Sequence, residues 1–350
     1  MILGFCLSFA LALTTSASAA EIAVSERGHA SNPAWSPNGD FLAFEVNDYA
    51  GSVSLYVVKV SNGSPVGQPS KASIPGQSSS FGNGGSVASN TAWHPDNLAI
   101  FEGSAAGGSS RLYFLSPGGA APAQLLTTAQ INGDLSWPEI SPDGMKIAFV
   151  SDTSGDGDIY IWDRASNAVT PAVQSPYSEM APAYSKSGRL VYSRKNQGGQ
   201  DLFTWEGSGK PVALVGGNGD QTRPIWVDDT VVFFSNERGE DHWDVVSSTG
   251  PGQKRTIARD VRLPVRSSPA ISADGRWVAF ASSDPELGGY VYFVSTDGTR
   301  SAKYQTNLVA AGEPAIIQAG GRTFLAFTAL PGEGANWRQL HIEDVTNIVN

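Results

Sequence analysis

The 350 residues predict an all-β fold, a seven-bladed β-propeller of four-stranded antiparallel blades, with six blades as the alternative count. Three observations carry this. One strand–turn–strand–loop–strand pattern recurs at intervals of about 45 residues, the spacing of propeller blades. The 39 glycines and 21 prolines suit a turn-dense β protein. No stretch shows an amphipathic helical period with caps.

The fullest copy of the pattern is residues 136–163, SWPEISPDGMKIAFVSDTSGDGDIYIWD. Each copy aligns on an anchor: Pro33, Thr91, Pro138, Pro182, Pro224, Pro269 and Pro314. Two residues on stands a large side chain, Trp35, Trp93, Ile140, Tyr184, Trp226, Ile271 or Ile316. An innermost strand packed between neighbouring blades needs that bulk. The turn follows. In Ser141-Pro142-Asp143-Gly144, proline presets φ for the second position of a type I turn and glycine suits the fourth. Residues 36–39 and 272–275 repeat it, and Asn97 stands in for glycine in the second copy. The next strand is continuously apolar at 147–150, 190–192, 231–234, 277–280 and 324–327, as burial on both faces allows. Third strands fall at 55–58, 112–115, 159–162, 202–205, 245–246, 291–294 and 339–342. Weaker outer strands fall at 123–127, 168–173, 211–215 and 255–258. The last unit has only residues 346–350 left for its fourth strand. Residues 21–27 alternate and have no other role, so they are predicted to supply it and to remove a free edge.

Bulk properties bound the function. Hydrophobic residues make up 41% and charged residues 16%, enough for a sizeable core. A net charge of −10 argues against nucleic acid and anionic membranes as partners. Residues 1–20 are uncharged and apolar and end in small residues, the pattern of a secretory signal. That leaves residues 21–350 as a single propeller domain with no transmembrane segment. The lone cysteine, Cys6, lies in the signal. A mature chain without cysteine has no disulfide, thiolate metal site or cysteine nucleophile. It fits a periplasm, with secretion to the exterior as the alternative.

These units resemble the TolB-type propeller repeat, a W-S-P-D-G-x-x-I-A-F core followed by a G-x-x-x-I-Y strand. SPDGMKIAFVSDTSGDGDIYIWD matches nearly throughout, and SPNGDFLAF and SADGRWVAFASS match closely. The resemblance implies an exported propeller that binds a protein or peptide at one face. It also marks a departure: TolB itself carries an α/β domain before a six-bladed propeller, whereas here the first unit follows soon after the signal. Repeats of this kind also occur in peptidase accessory domains and polysaccharide lyases.

Blade geometry puts the SPDG turns on one face and the segments entering each anchor on the other, around the channel mouth. His29, Asn32, Asn90, Asp134, Trp137, Glu179, Arg223, Arg266 and Glu313 are expected to ring that mouth. Of these, Asn32, Asn90, Trp137, Glu179, Arg223, Arg266 and Glu313 are the candidate ligand-binding residues, with Arg and Trp as anchors. The plainer reading is a solvated rim. Asp152, Asp156 and Asp158 in the DTSGDGD loop suggest calcium, against a plain polar hairpin connection. His29, His94, His242 and His341 have no metal-ligand spacing, and no nucleophile elbow or phosphate loop occurs. The Gly/Ser-rich insertion at 73–89 is a surface loop or a flap. The expectation is a monomeric, non-enzymatic binding module or scaffold of the cell envelope, with a protein or peptide partner and no cofactor beyond possible calcium. Two alternatives stay open: a carbohydrate-active lyase or hydrolase with carboxylates at the mouth, and a calcium-dependent lectin-like module.

Overall fold

Six of the seven sequence units each fold into an antiparallel four-stranded meander, and the seventh forms three strands of one. The computed structural model describes residues 19–24, 27–48, 51–75, 85–119, 121–332 and 334–349. The expected signal up to residue 18, with Cys6, and residues 76–84 of the insertion lie outside the described residues. Unit one comprises His29–Trp35, Phe41–Asn47, Val53–Ser61 and Ser64–Lys71. Unit two comprises Val87–Trp93, Ala99–Ser104, Arg111–Leu115 and Ala123–Gln124. Unit three is Leu135–Ile140, Lys146–Ser151, Asp158–Asp163 and Ala168–Val173. Unit four is Glu179–Tyr184, Leu190–Asn196, Gly199–Trp205 and Val212–Val215. Unit five is Gly219–Val227, Thr230–Ser235, Asp244–Ser248 and Lys254–Ala258. Unit six is Ala270–Ile271, Trp277–Phe280, Tyr290–Ser295 and Ser301–Gln305. In unit seven, Val309–Ala319, Arg322–Leu330 and Gln339–Asp344 are joined by Ala20–Ile22 from the other end of the chain.

That last pairing puts Glu21 opposite His341 and buries Ile22 against unit one and unit seven. The pairing is shorter than the 21–27 expected and starts one residue earlier. The outer strands of units one and six carry too little apolar character to be read from sequence. The predicted strand at 123–127 keeps only two residues. The chain ends in a short helix, Thr346–Val349, rather than a strand.

The turn grammar has a direct cause. Ser36, Ser141, Ser185 and Ser272 each accept, on Oγ, the N–H that opens the next strand, at 2.8–2.9 Å. The glycine or Asn97 at the fourth position has φ between 59° and 85°, which those residues adopt at little cost. Within the sheets, one aromatic pair recurs across the second and third strands. Phe44–Tyr56, Phe101–Tyr113, Phe149–Tyr160, Tyr192–Phe203 and Phe280–Tyr292 stack with centroids 5.6–6.1 Å apart. In unit seven His341 takes the tyrosine's place against Phe327 at 5.6 Å. Burial holds its imidazole at a pKa of about 4, so it packs as a neutral ring.

Candidate binding site at the channel mouth

The residue before six of the seven anchors takes a left-handed backbone. Asn32, Asn90, Trp137, Ala181, Arg223 and Glu313 have φ between 46° and 56°, and the strand register shifts at each of them. Only asparagine adopts this cheaply; for the others it costs about 1–2 kcal/mol each. The bulge releases the backbone N–H from its ladder, and at Asn32 and Asn90 a carboxylate of the adjacent unit accepts it. Glu313 Oε2 takes the Asn32 N–H at 2.6 Å, and Glu45 Oε1 takes that of Asn90 at 2.7 Å. Glu45 Oε2 also accepts from the Asn32 amide at 2.9 Å. Burial pushes the Glu45 carboxyl up to about 7 and also raises Glu102 and Glu313.

Unit six breaks the pattern. Val261 pairs with Ser282 and Ala270 with Ala279, so the residues between Val261 and Ala270 loop out of the inner strand. This loop, residues 262–268, forms a strap over the mouth. The Arg266 guanidinium reaches across to Glu102 of unit two at 2.6 Å. The N–H of Arg266 and the hydroxyl of Ser267 both donate to Asn32 Oδ1 of unit one at 3.1 Å. The N–H of Val265 donates to Glu313 of unit seven at 3.3 Å. Arg223 of unit five donates to the carbonyls of Pro264, Val265 and Ser267. Burial lowers the Arg223 pKa to about 10, which leaves it charged at neutral pH. The strap is thus tied to four other units, and it holds Val265 outward at 58% exposure.

Beneath the strap lies a cavity of about 400 Å³, lined by inner-strand residues of every unit. Its wall includes Trp35, Trp93 and Trp137. The indole N–H groups of Trp35 and Trp93 donate to Ala315 O and Ala34 O, stitching adjacent units together. Glu139 also lines it, and its carboxyl accepts the Tyr184 N–H at 3.4 Å.

The structure brings Asn32, Asn90, Arg223, Arg266 and Glu313 into one hydrogen-bonded rim with Trp137 on the cavity wall. The two arginines are engaged within the chain rather than held out to solvent. Glu179 lies apart. It stands three residues before its proline instead of one, is fully buried, and accepts a hydrogen bond from Ser175 beside Asp158. Burial, reinforced by Asp158, pushes its carboxyl up to about 7. Asp152, Asp156 and Asp158 are not gathered either. Asp152 accepts the Asp134 N–H at 2.6 Å, Asp156 is exposed, and Asp158 turns inward to Ser154 and Ser175. Among the described residues no three His, Asp or Glu side chains form a metal-sized group. His29 packs edge-on against Trp337, His94 spans units two and three to Gly144 O, and His242 meets Asp260 at 2.9 Å.

Sequence reading missed Glu45, Glu102, Glu139 and the strap. The carboxylates sit inside strands, where apolar neighbours mask them. An available signal was the column after the anchors: Ala34, Ala92, Glu139, Ala183, Ile225, Ala270 and Ala315. The strap's signal was the long interval before Pro269 that lacks strand character.

Among solved structures, the chain aligns with TolB from Acinetobacter baumannii at 17% identity and a TM-score of 0.55, covering 79% of this chain and 65% of that one. A TolB-type protein of Agrobacterium tumefaciens aligns at 22% identity and 0.51, covering 66% and 81%. Oligogalacturonate lyase from Vibrio parahaemolyticus aligns at 11% identity and 0.61, covering 93% of each chain. At these identities the likeness is one of fold. No curated protein matches the chain. The TolB beta propeller domain family matches residues 123–318, more than half of the sequence. The repeats, the meanders and this match together make the chain a member of the TolB beta propeller family.

Proposed function

We propose that this chain is an exported, closed seven-bladed ring that binds a protein or peptide partner at its channel mouth without doing chemistry on it. The observation that carries this is the strap. It is fixed by hydrogen bonds to four other units, yet its apolar Val265 is held outward and half the residue is open to solvent. A rigid rim with an exposed apolar contact, above a cavity wall that carries Trp137, binds with little ordering cost on its own side. The membership in the TolB family and the expected signal segment favour the envelope as the place. No helix among the described residues is long and apolar enough to cross a membrane.

The test is affinity capture from the native envelope with the wild-type chain and three variants. Val265→Asp and Trp137→Ala alter the mouth, while Met145→Asp alters an exposed residue at the turn end of unit three. The reading expects one protein, recovered by wild type and Met145→Asp and lost with both mouth variants. Loss with Met145→Asp alone places the interface on the turn face and overturns it.

A further inference from the structure

Two residues of the channel wall depart from the repeat around them. The position after the anchor is alanine in five units and isoleucine in unit five, but Glu139 in unit three. The anchor is proline in six units and Thr91 in unit two. The other units carry alanine or isoleucine at the first position and proline at the second, so inner-strand packing does not by itself call for a carboxylate or a hydroxyl there. A carboxylate turned into an apolar wall also costs desolvation. Among the described residues Glu139 has one hydrogen bond, from Tyr184 N–H at 3.4 Å, and no lysine or arginine pairs with it. The Thr91 hydroxyl is buried without a partner. Both residues line the cavity together with Trp35, Trp93 and Trp137. The other charged residue of the wall, Arg266, is already neutralised by Glu102.

We propose that the channel binds a small organic ammonium cation, with Glu139 as its counter-ion and the three tryptophans as its walls. A carboxylate without a cation recognises positive charge, and the face of an indole favours a cation with an alkyl shell. An anion is repelled there, and a neutral ligand leaves the carboxylate uncompensated. The volume of about 400 Å³ suits a small molecule rather than a folded partner. The Thr91 hydroxyl, on the wall of the neighbouring unit two, supplies a polar contact. This site lies below the rim and does not depend on a partner binding there.

The test uses the purified chain at pH 8, where Glu139 is largely ionised, with tert-butylammonium and its neutral isostere tert-butanol as probes. Binding is read by calorimetry and by tryptophan fluorescence. The cation is expected to bind at least about tenfold more tightly than the alcohol. Glu139→Gln is expected to remove that preference while circular dichroism stays unchanged. Glu139→Ala, the residue that five other units carry, is the second variant should glutamine perturb the fold. Equal binding of the two probes, no binding of the cation, or a cation preference that survives both substitutions overturns the proposal.

Discussion

A carboxylate standing where its repeat equivalents are alanine or isoleucine burdens the native state. Burial pushes Glu139 up to about 7, and Glu45 likewise, from an ordinary glutamate value of 4.5. Such groups hold their proton more tightly folded than unfolded. Their stabilising protonation is complete below pH 4.5 and is lost as pH rises through 7. Stability therefore falls between pH 5 and pH 8 on their account. Glu139→Gln is expected to flatten that fall and to add about 1–2 kcal/mol at pH 8, read by urea unfolding across pH. A purely structural Glu139 gives the opposite sign. The Arg266–Glu102 pair makes a second residue-scale prediction. Arg266→Ala strands a buried carboxylate and is expected to cost about 3 kcal/mol, whereas Arg266→Met with Glu102→Met recovers most of it. A double-mutant cycle in denaturant measures the difference. Residues of this kind were hard to read in sequence. Asn32, Trp137 and Arg223 were found because they precede an anchor proline. Glu45 and Glu102 look like ordinary strand residues until Glu45 is seen to accept the bulge N–H of Asn90 and Glu102 to meet Arg266. Glu179 was misplaced because a three-residue offset from its proline moves a side chain from the rim to the interior.

At the scale of elements, the SPDG turns and apolar second strands were legible because local chemistry fixes them. Proline, serine and glycine act within five residues of one another. The strap was not legible, because its partners lie in units one, two, five and seven. Its prediction follows from those partners. Arg223 holds three strap carbonyls, so Arg223→Ala is expected to loosen residues 262–268 without unfolding the sheets. Amide hydrogen exchange should quicken by at least about tenfold at Val265 and Arg266 and stay unchanged at Val232 and Phe233. Uniform acceleration across the chain contradicts a separately held strap.

At the scale of the whole molecule, the repeat interval and its recurring core sequence were enough to name the architecture, and the pairing of Ala20–Ile22 with Gln339–Asp344 ties the two ends together. What sequence could not supply was which side chains of the mouth are free. Arg223 and Arg266 are engaged within the chain, while Val265 is held outward and Trp137 lines the cavity wall. The most direct measurement of this account is site-specific photocrosslinking in the native cell. A benzophenone side chain is placed at Val265, at Trp137 and, on the turn side, at Met145. The account predicts one discrete adduct shared by positions 265 and 137 and none at 145. Adducts at 145 alone, or none at any position, would contradict it.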